Sequence, residues 1–280
     1  RSKKMILMSP RFKTSSKLVA ASNGAVIRKG ARGRHVHLIQ MTLIDLGYLM
    51  PRSIGGVFSP DGVYGDETKQ KVAEFQRANN LTPDGEIGRN TMTVLDRICR
   101  NYKYIVTLHF RSISLTTVSF SDTYNSTENV YGQYGIKIVF GSGESLMMSN
   151  EEEQQFNQVD ESCRWEIDDG EVNQLHSTGS PFPSNHIGVY YVKSFSNNSL
   201  LGCGGHAKNR PACTVAAAAS RWDTAHEVGH VLLTSSFNPV HVSEHQRNLM
   251  YPYSRNTGQI PVLTDRQVAQ IRRNICCVSM

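Results

Sequence analysis

Thr224-Ala225-His226-Glu227-Val228-Gly229-His230-Val231-Leu232-Leu233 decides how the rest of the chain is read. The HExxH spacing puts two imidazoles four residues apart, on one face of a helix, with Glu227 one step round from them. Val231, Leu232 and Leu233 supply an apolar face, so the helix can be buried on one side while the histidines line a cleft. The pattern implies Zn2+. His226 and His230 are candidate metal ligands, and Glu227 is the candidate catalytic base for a water whose pKa the metal lowers toward ~7. A catalytic zinc needs a third protein ligand. Downstream, His241, Glu244 and His245 can supply it, ahead of the turn Asn248-Leu249-Met250-Tyr251-Pro252.

Outward from this helix the texture is mixed. Residues 105–110, 136–140 and 187–192 are rich in β-branched and aromatic side chains and read as strands, as does the short run 213–217 just upstream of the motif. The small side chains of that run suit an extended peptide added alongside it, although they also suit close packing. Residues 119–135 read as a polar helix and 202–212 as a loop. In residues 265–273 the apolar positions recur at helical steps, with Thr264 and Gln267 spaced as a capping box. Tyr251 and Tyr253 lie close enough after the motif to lend a hydroxyl to a developing oxyanion; Tyr253 is the candidate carried forward. His35, His37, His109, His176, His186 and His206 have no ligand-like partner in their own elements and are expected in core or surface roles.

Before residue 102 the chain is helical. Val36, Ile39, Leu43 and Leu46 share one face; Val72, Phe75 and Gln76 form a second set, and Thr91, Leu95 and Ile98 a third. Between them the turns Asp61-Gly62-Val63-Tyr64-Gly65 and Asp84-Gly85-Glu86-Ile87-Gly88 repeat one unit, in which Asp accepts backbone N–H bonds and glycine takes a positive φ. Ahead of them, the first 34 residues hold ten basic side chains and no acidic one. Such an arm can hold a polyanion or can be a solvated tail, the plainer reading. No nucleic-acid partner is expected. Residues 151–171 carry nine carboxylates against Arg164 alone and read as an exposed helix and loop, with a calcium or regulatory site as the other possibility.

The whole chain has 280 residues, 39% of them hydrophobic, and a net charge of +6. That is enough for one large or two modest cores and argues against disorder as a description of the whole. No run approaches the roughly 18 apolar residues of a bilayer crossing, so no membrane span is expected. The basic start is followed by too short an apolar run for a signal peptide, which implies a leader already removed or another export route. Six cysteines are too few for a disulfide scaffold. Cys203 and Cys213 bracket a loop whose ends a disulfide could close in an oxidising compartment.

Two resemblances sharpen these expectations. Gly30, Gly33, Val36, Ile39-Gln40, Leu43, Leu46-Gly47-Tyr48, Asp61-Gly62, Tyr64-Gly65, Thr68, Val72, Phe75-Gln76, Leu81, Asp84-Gly85, Ile87-Gly88, Thr91 and Leu95 resemble the three-helix peptidoglycan-binding domain of bacterial wall hydrolases. The resemblance implies a module that holds wall glycan or stem peptide and does no chemistry. The same unit resembles the propeptide domain of matrix metalloproteinases, which raises a cysteine switch at Cys99. Ile98-Cys99-Arg100-Asn101 lacks that family's Pro-Arg-Cys-Gly, so Cys99 reads as a core residue.

From Thr224 onward the helix, the downstream histidine and Leu249-Met250-Tyr251-Pro252 resemble the matrixin-like metzincin zinc peptidases. One departure matters. The family pattern HExxHxxGxxH has Leu233 at its glycine and Ser236 at its third histidine. Leucine is disfavoured in the left-handed conformation that ends the helix sharply, so the helix should run on slightly and the chain return through Asn238-Pro239. His241 is the choice for third ligand because its distance to Met250 approaches the family spacing, with His245 and Glu244 as alternatives, the latter giving a gluzincin-like site. The resemblance places Met250 beneath the metal as a packing residue; an ordinary turn methionine is the alternative.

The expected architecture is α+β: a basic arm over residues 1–27, a small three-helix domain over 28–100, and a metzincin-like zinc peptidase domain with a mixed sheet and active-site helix over 101–280. The expected activity is a wall-targeted, zinc-dependent endopeptidase acting on protein or peptide, secreted, periplasmic or cell-wall associated. Hydrolysis of peptidoglycan stem peptide or cross-bridge, and a non-catalytic wall-binding protein, are the alternatives.

Overall fold

The computed structural model describes residues 3–55, 59–160, 162–254 and 257–280. The chain divides into two compact units. One comprises the residues up to Lys103 with Gly132–Gly135 and Thr264–Val268; the other holds Tyr104–Tyr131, Ile136–Leu263 and Ala269–Met280.

The first unit is built from α1 (Ser16–Ala21), α2 (Arg34–Asp45), α3 (Asp66–Ala78) and α4 (Arg89–Ile98). Val36, Ile39, Leu43, Val72, Phe75 and Leu95 enter its buried cluster from amphipathic helices, and Ile87 joins it from the turn ahead of α4. The two Asp-Gly turns are held by one device used twice. Gln40 Nε2 donates to Asp61 Oδ1 (2.8 Å), and its Oε1 accepts from Gly62 N (2.9 Å). Gln76 does the same with Asp84 (2.8 Å) and Gly85 (2.8 Å). Each buried amide thereby satisfies the turn glycine's N–H and holds the turn's aspartate.

Residues 3–27 do not form a solvated arm. Leu7, Phe12, Leu18, Ala21 and Ile27 enter the same cluster, and the buried Asp96 carboxylate accepts from Met8 N and Ser9 N, both at 2.8 Å. Ser15 caps α1 by accepting from Leu18 N. The basic side chains lie between apolar positions spaced too irregularly to show a period, so charge masks the burial of this segment in the sequence; Arg1 and Ser2 lie outside the described residues. Cys99 is buried in this cluster, its thiol pushed up by burial.

The remaining elements, in chain order, are β1 (Tyr104–Ser112), α5 (Phe120–Gly132), β2 (Ile136–Ser145), α6 (Asn150–Phe156), β3 (Gln158–Val159), α7 (Gly170–Leu175), β4 (Ile187–Val192), β5 (Ser194–Phe195), β6 (Gly202–Cys203), β7 (Ala212–Ala216), α8 (Asp223–Leu233), α9 (Asp265–Ile271) and β8 (Val278–Ser279). The main sheet has the order β2-β1-β4-β7-β6, parallel except for β6, with β8 antiparallel to the start of β1. β4 and β7 are buried at every position, as expected of strands covered on both faces. β7 is paired by β4 on one side and β6 on the other, so its edge cannot receive a peptide; the strand at that end of the sheet is β6. The acidic stretch contains α6, opened by a Ser149–Glu152 capping box, and α7; Glu161 lies outside the described residues. Thr264 and Gln267 form the reciprocal box ahead of α9. Among the described residues no helix is long and apolar enough to cross a membrane.

The disulfide joins Cys163 to Cys203, with 5.4 Å between Cα atoms, and not Cys203 to Cys213. Cys213 is a free thiol buried on β7, with its side chain in the interior. The pairing follows from the sheet: β6 lies antiparallel on β7, where Cys203 faces Thr214, and residues 165–167 run alongside His206.

Candidate metal centre

Helix α8 carries the motif and packs on the sheet through Ala225, Val228, Leu232 and Leu233, all buried. Its opposite side floors a cleft of ≈ 440 Å³ walled by Trp165, Gly202, Gly204 and Tyr253. Here His226, His230 and His241 bring one nitrogen each to within 4.8 Å of one another; they are the metal-capable group found among the described residues. His226 Nε2 and His241 Nε2 each stand 3.1 Å from His230 Nε2. Nitrogens on one tetrahedral zinc at 2.0–2.1 Å are separated by roughly 3.3 Å. The donor set therefore fits the ion with a small outward shift.

Second contacts orient these three histidines. His226 Nδ1 lies 2.7 Å from Leu249 O, and a carbonyl can only accept, so Nδ1 carries the proton and Nε2 presents its lone pair to the other rings. Trp165 meets the His230 ring edge-on at 5.6 Å between centroids. His241 reaches the group from the loop after α8, where Val242 N donates to Met250 O at 2.9 Å. Met250 is fully buried, and a Cβ on Gly229 would fall 2.8 Å from its sulfur, so glycine at that helical position is what lets the turn pack against α8. Leu233 is still helical, and the chain turns at Thr234, φ 64°. Asn238-Pro239 is a cis peptide in the return loop.

Glu227 is buried against this group. Burial, and after it the Asp223 carboxylate, pushes its carboxyl well above the usual carboxylate range. Burial and the two neighbouring rings push His230 well below the ordinary imidazole value. Both shifts favour the neutral forms, and a bound cation would oppose the shift on Glu227.

Other sequence candidates fall elsewhere. Glu244 is exposed and His245 half-buried, and neither belongs to the metal-capable group. Tyr253 lines the cleft but is 69% exposed. His37 is buried between Pro60 O and the Tyr134 hydroxyl, His176 bonds Thr214, and His109 pairs with His186 at 2.9 Å.

Sequence reading missed the cover of the site. A Cβ on Gly202 would lie 2.3 Å from Glu227 Oε1, and one on Gly204 would lie 2.2 Å from His230 Cβ. β6 and the residue after it therefore pass in contact with Glu227 and His230, and only glycine permits it. The signal available was the run Gly202-Cys203-Gly204-Gly205, whose glycines suit close approach as well as a loop.

Residues 32–95 match the family model of the peptidoglycan binding domain. The Bacillus licheniformis protein named "Probable N-acetylmuramoyl-L-alanine amidase" is 32% identical over 81 residues, 29% of this chain and 22% of that protein. The chain thus spans about a fifth of the length of the curated relative it matches. Among solved structures, metalloproteinase-II from Bacteroides fragilis is similar at TM-score 0.38 and 12% identity, covering 61% of this chain and 53% of that one. Archaemetzincin from Methanopyrus kandleri is similar at TM-score 0.36 and 13% identity, covering 61% and 95%. The N-terminal unit thus carries a cell-wall binding domain, and the second unit is a mixed α/β structure with a histidine triad able to hold a metal.

Proposed function

We propose that this chain is a wall-targeted zinc endopeptidase. The observation that supports the reading best is the convergence of three imidazole nitrogens beside a buried carboxyl on the floor of a cleft. His226, His230 and His241 would hold the ion. When bound, zinc supplies Lewis acidity: it lowers the pKa of water toward ~7 and stabilises oxyanion charge. Glu227 takes the water's proton at its carboxylate and delivers it to the leaving amine, a role for which its closeness to the triad and its dry surroundings fit. The Leu249 carbonyl holds His226 in the ligating tautomer, Met250 supports α8 from beneath, and β6 keeps bulk water off Glu227. Tyr253 lines the mouth of the cleft and is the hydroxyl proposed to meet developing negative charge.

The helical unit addresses the enzyme to peptidoglycan in a secreted, periplasmic or wall-associated setting, and the substrate is protein or peptide. The test is zinc content of the purified chain, with cleavage of casein and release of soluble fragments from purified sacculi, for wild type and Glu227→Gln. One zinc per chain and casein cleavage that Glu227→Gln abolishes support the reading. Stem-peptide release from sacculi instead would make the wall the substrate, and absence of zinc would leave a wall-binding protein without this chemistry.

A further inference from the structure

A helix leaves its last carbonyls without intrahelical partners, and a glycine in the left-handed region after the helix is the common way to satisfy them while turning the chain. Helix α8 has Leu233 and Thr234 at that point. Thr234 sits at φ 64° and ψ 171°, a region that suits glycine and opposes a β-branched residue. Something outside the helix must therefore hold its end.

Two side-chain amides do so. Asn274 Nδ2 donates to the carbonyls of Val231 (3.2 Å) and Leu232 (3.0 Å), and Gln270 Nε2 donates to that of Leu233 (3.3 Å). The Asn274 amide cannot turn over, because its Oδ1 accepts from Cys276 N at 2.8 Å. The end of α8 is thus capped by residues about 40 positions downstream, at the end of α9 and in the turn after it. From Thr234 the chain runs through residues 235–241 to His241 and is gripped again at Val242 by Met250 O. The amide cap sets where this loop begins and the Met250 carbonyl sets where it ends.

We infer that Asn274, assisted by Gln270, is a positioning residue for His241. By bonding the last carbonyls of α8 it holds Thr234 in a conformation that threonine resists, and this aims the loop that brings the third imidazole to His230. The inference rests on the zinc-site reading above.

The test uses the full chain with Asn274→Asp, Gln270→Ala, and Asn274→Asp combined with Thr234→Gly. Asn274→Asp keeps the size but faces two carbonyls with an acceptor. Zinc affinity is measured by competition with a chelating dye, and the metal-free fold by circular dichroism and urea unfolding. The expected result is zinc binding at least tenfold weaker in Asn274→Asp and weakened less in Gln270→Ala, with the metal-free spectrum retained. Most of the loss should return with Thr234→Gly, since glycine adopts the exit conformation unaided. Affinity within twofold of wild type in Asn274→Asp overturns the inference. So does a loss that Thr234→Gly leaves unrepaired, which would make the cap a stability element alone. If wild type binds no zinc, or binds it equally after His241→Ala, the site reading fails first and the inference with it.

Discussion

Gly202→Ala should separate proton transfer from metal binding. The new Cβ would start 2.3 Å from Glu227 Oε1 and 2.5 Å from its Cδ. Those atoms end a flexible side chain, whereas β6 is fixed by its ladder to β7 and by the Cys163–Cys203 disulfide. The carboxylate therefore yields, and it must retreat by roughly 1 Å to reach ordinary contact; a displacement of that size in a reacting group costs about 10²-fold in rate, or ~2.7 kcal/mol of transition-state stabilisation. None of the contacts in the way belongs to an imidazole, so zinc affinity should stay within about threefold, well under the ~1.4 kcal/mol of a tenfold change. Gly204→Ala is the contrast. Its Cβ would meet His230 Cβ at 2.2 Å and the Glu227 carbonyl at 3.0 Å, atoms that cannot swing aside, so zinc affinity and stability should both fall. The assay is kcat/KM for peptide cleavage at equal zinc loading, with zinc affinity measured in parallel. Gly202→Ala with zinc bound and activity within threefold of wild type would refute the argument that β6 presses on the base.

Three further outcomes are expected. Gln76→Glu removes donors to Asp84 Oδ1, Glu86 O and Thr91 Oγ1 and sets a carboxylate against Asp84, so urea unfolding should show the helical unit destabilised by ~3 kcal/mol; a change under ~0.5 kcal/mol would mean the repeated turns hold themselves. The Cys163–Cys203 bridge closes a loop of sequence separation 40 and should contribute roughly 4 kcal/mol through the unfolded state, so reduction, or Cys163→Ser with Cys203→Ser, should lower the thermal midpoint of the second unit and weaken the Trp165 wall of the cleft. Burial, with His206 and Arg210 adding to it, pushes His176 down to about 3 from 6.5. The unfolded chain then binds the extra proton between those values, so stability on the order of 5 kcal/mol is fully present above pH ~6.5 and is lost as pH falls toward 3. His176→Gln should flatten that acid slope in urea titrations, and an unchanged slope would assign it to other groups.

What the sequence made legible was local. Val36, Ile39 and Leu43 announce α2 by spacing, the Asp-Gly turns announce themselves by their residues, and β4 shows as an unbroken run of apolar and aromatic side chains. His226, Glu227 and His230 share one helix, so their proximity follows from 3.6 residues per turn. His241 needed a spacing argument because its loop departs from the usual pattern. What was hidden depends on distant segments. Cys163 lies 40 residues from its partner with no local signal to choose it over Cys213. The buried role of Leu7 and Phe12 was masked by the charges around them. Gly202 and Gly204 read as loop residues because a two-residue strand has no period, and their need for glycine arises from Glu227 and His230 on another element.

Contacts between protein groups place each donor of the candidate site. The Leu249 carbonyl sets the His226 tautomer, Met250 and the Asn274 amide hold the two ends of the His241 loop, and β6 covers Glu227, all by bonds or packing between protein groups. A doubly charged ion bound at the triad would be attracted by each imidazole lone pair and by the Glu227 carboxylate. Zinc should then act on stability by mass action, adding about 2.7 kcal/mol at a free concentration one hundred times Kd. A chelator should remove that increment while leaving the secondary structure of the second unit in place, in contrast to small zinc modules that unfold when the metal is taken away. Collapse of the fold on chelation would mean that the ion, and not the glycine cover and amide cap, assembles the site.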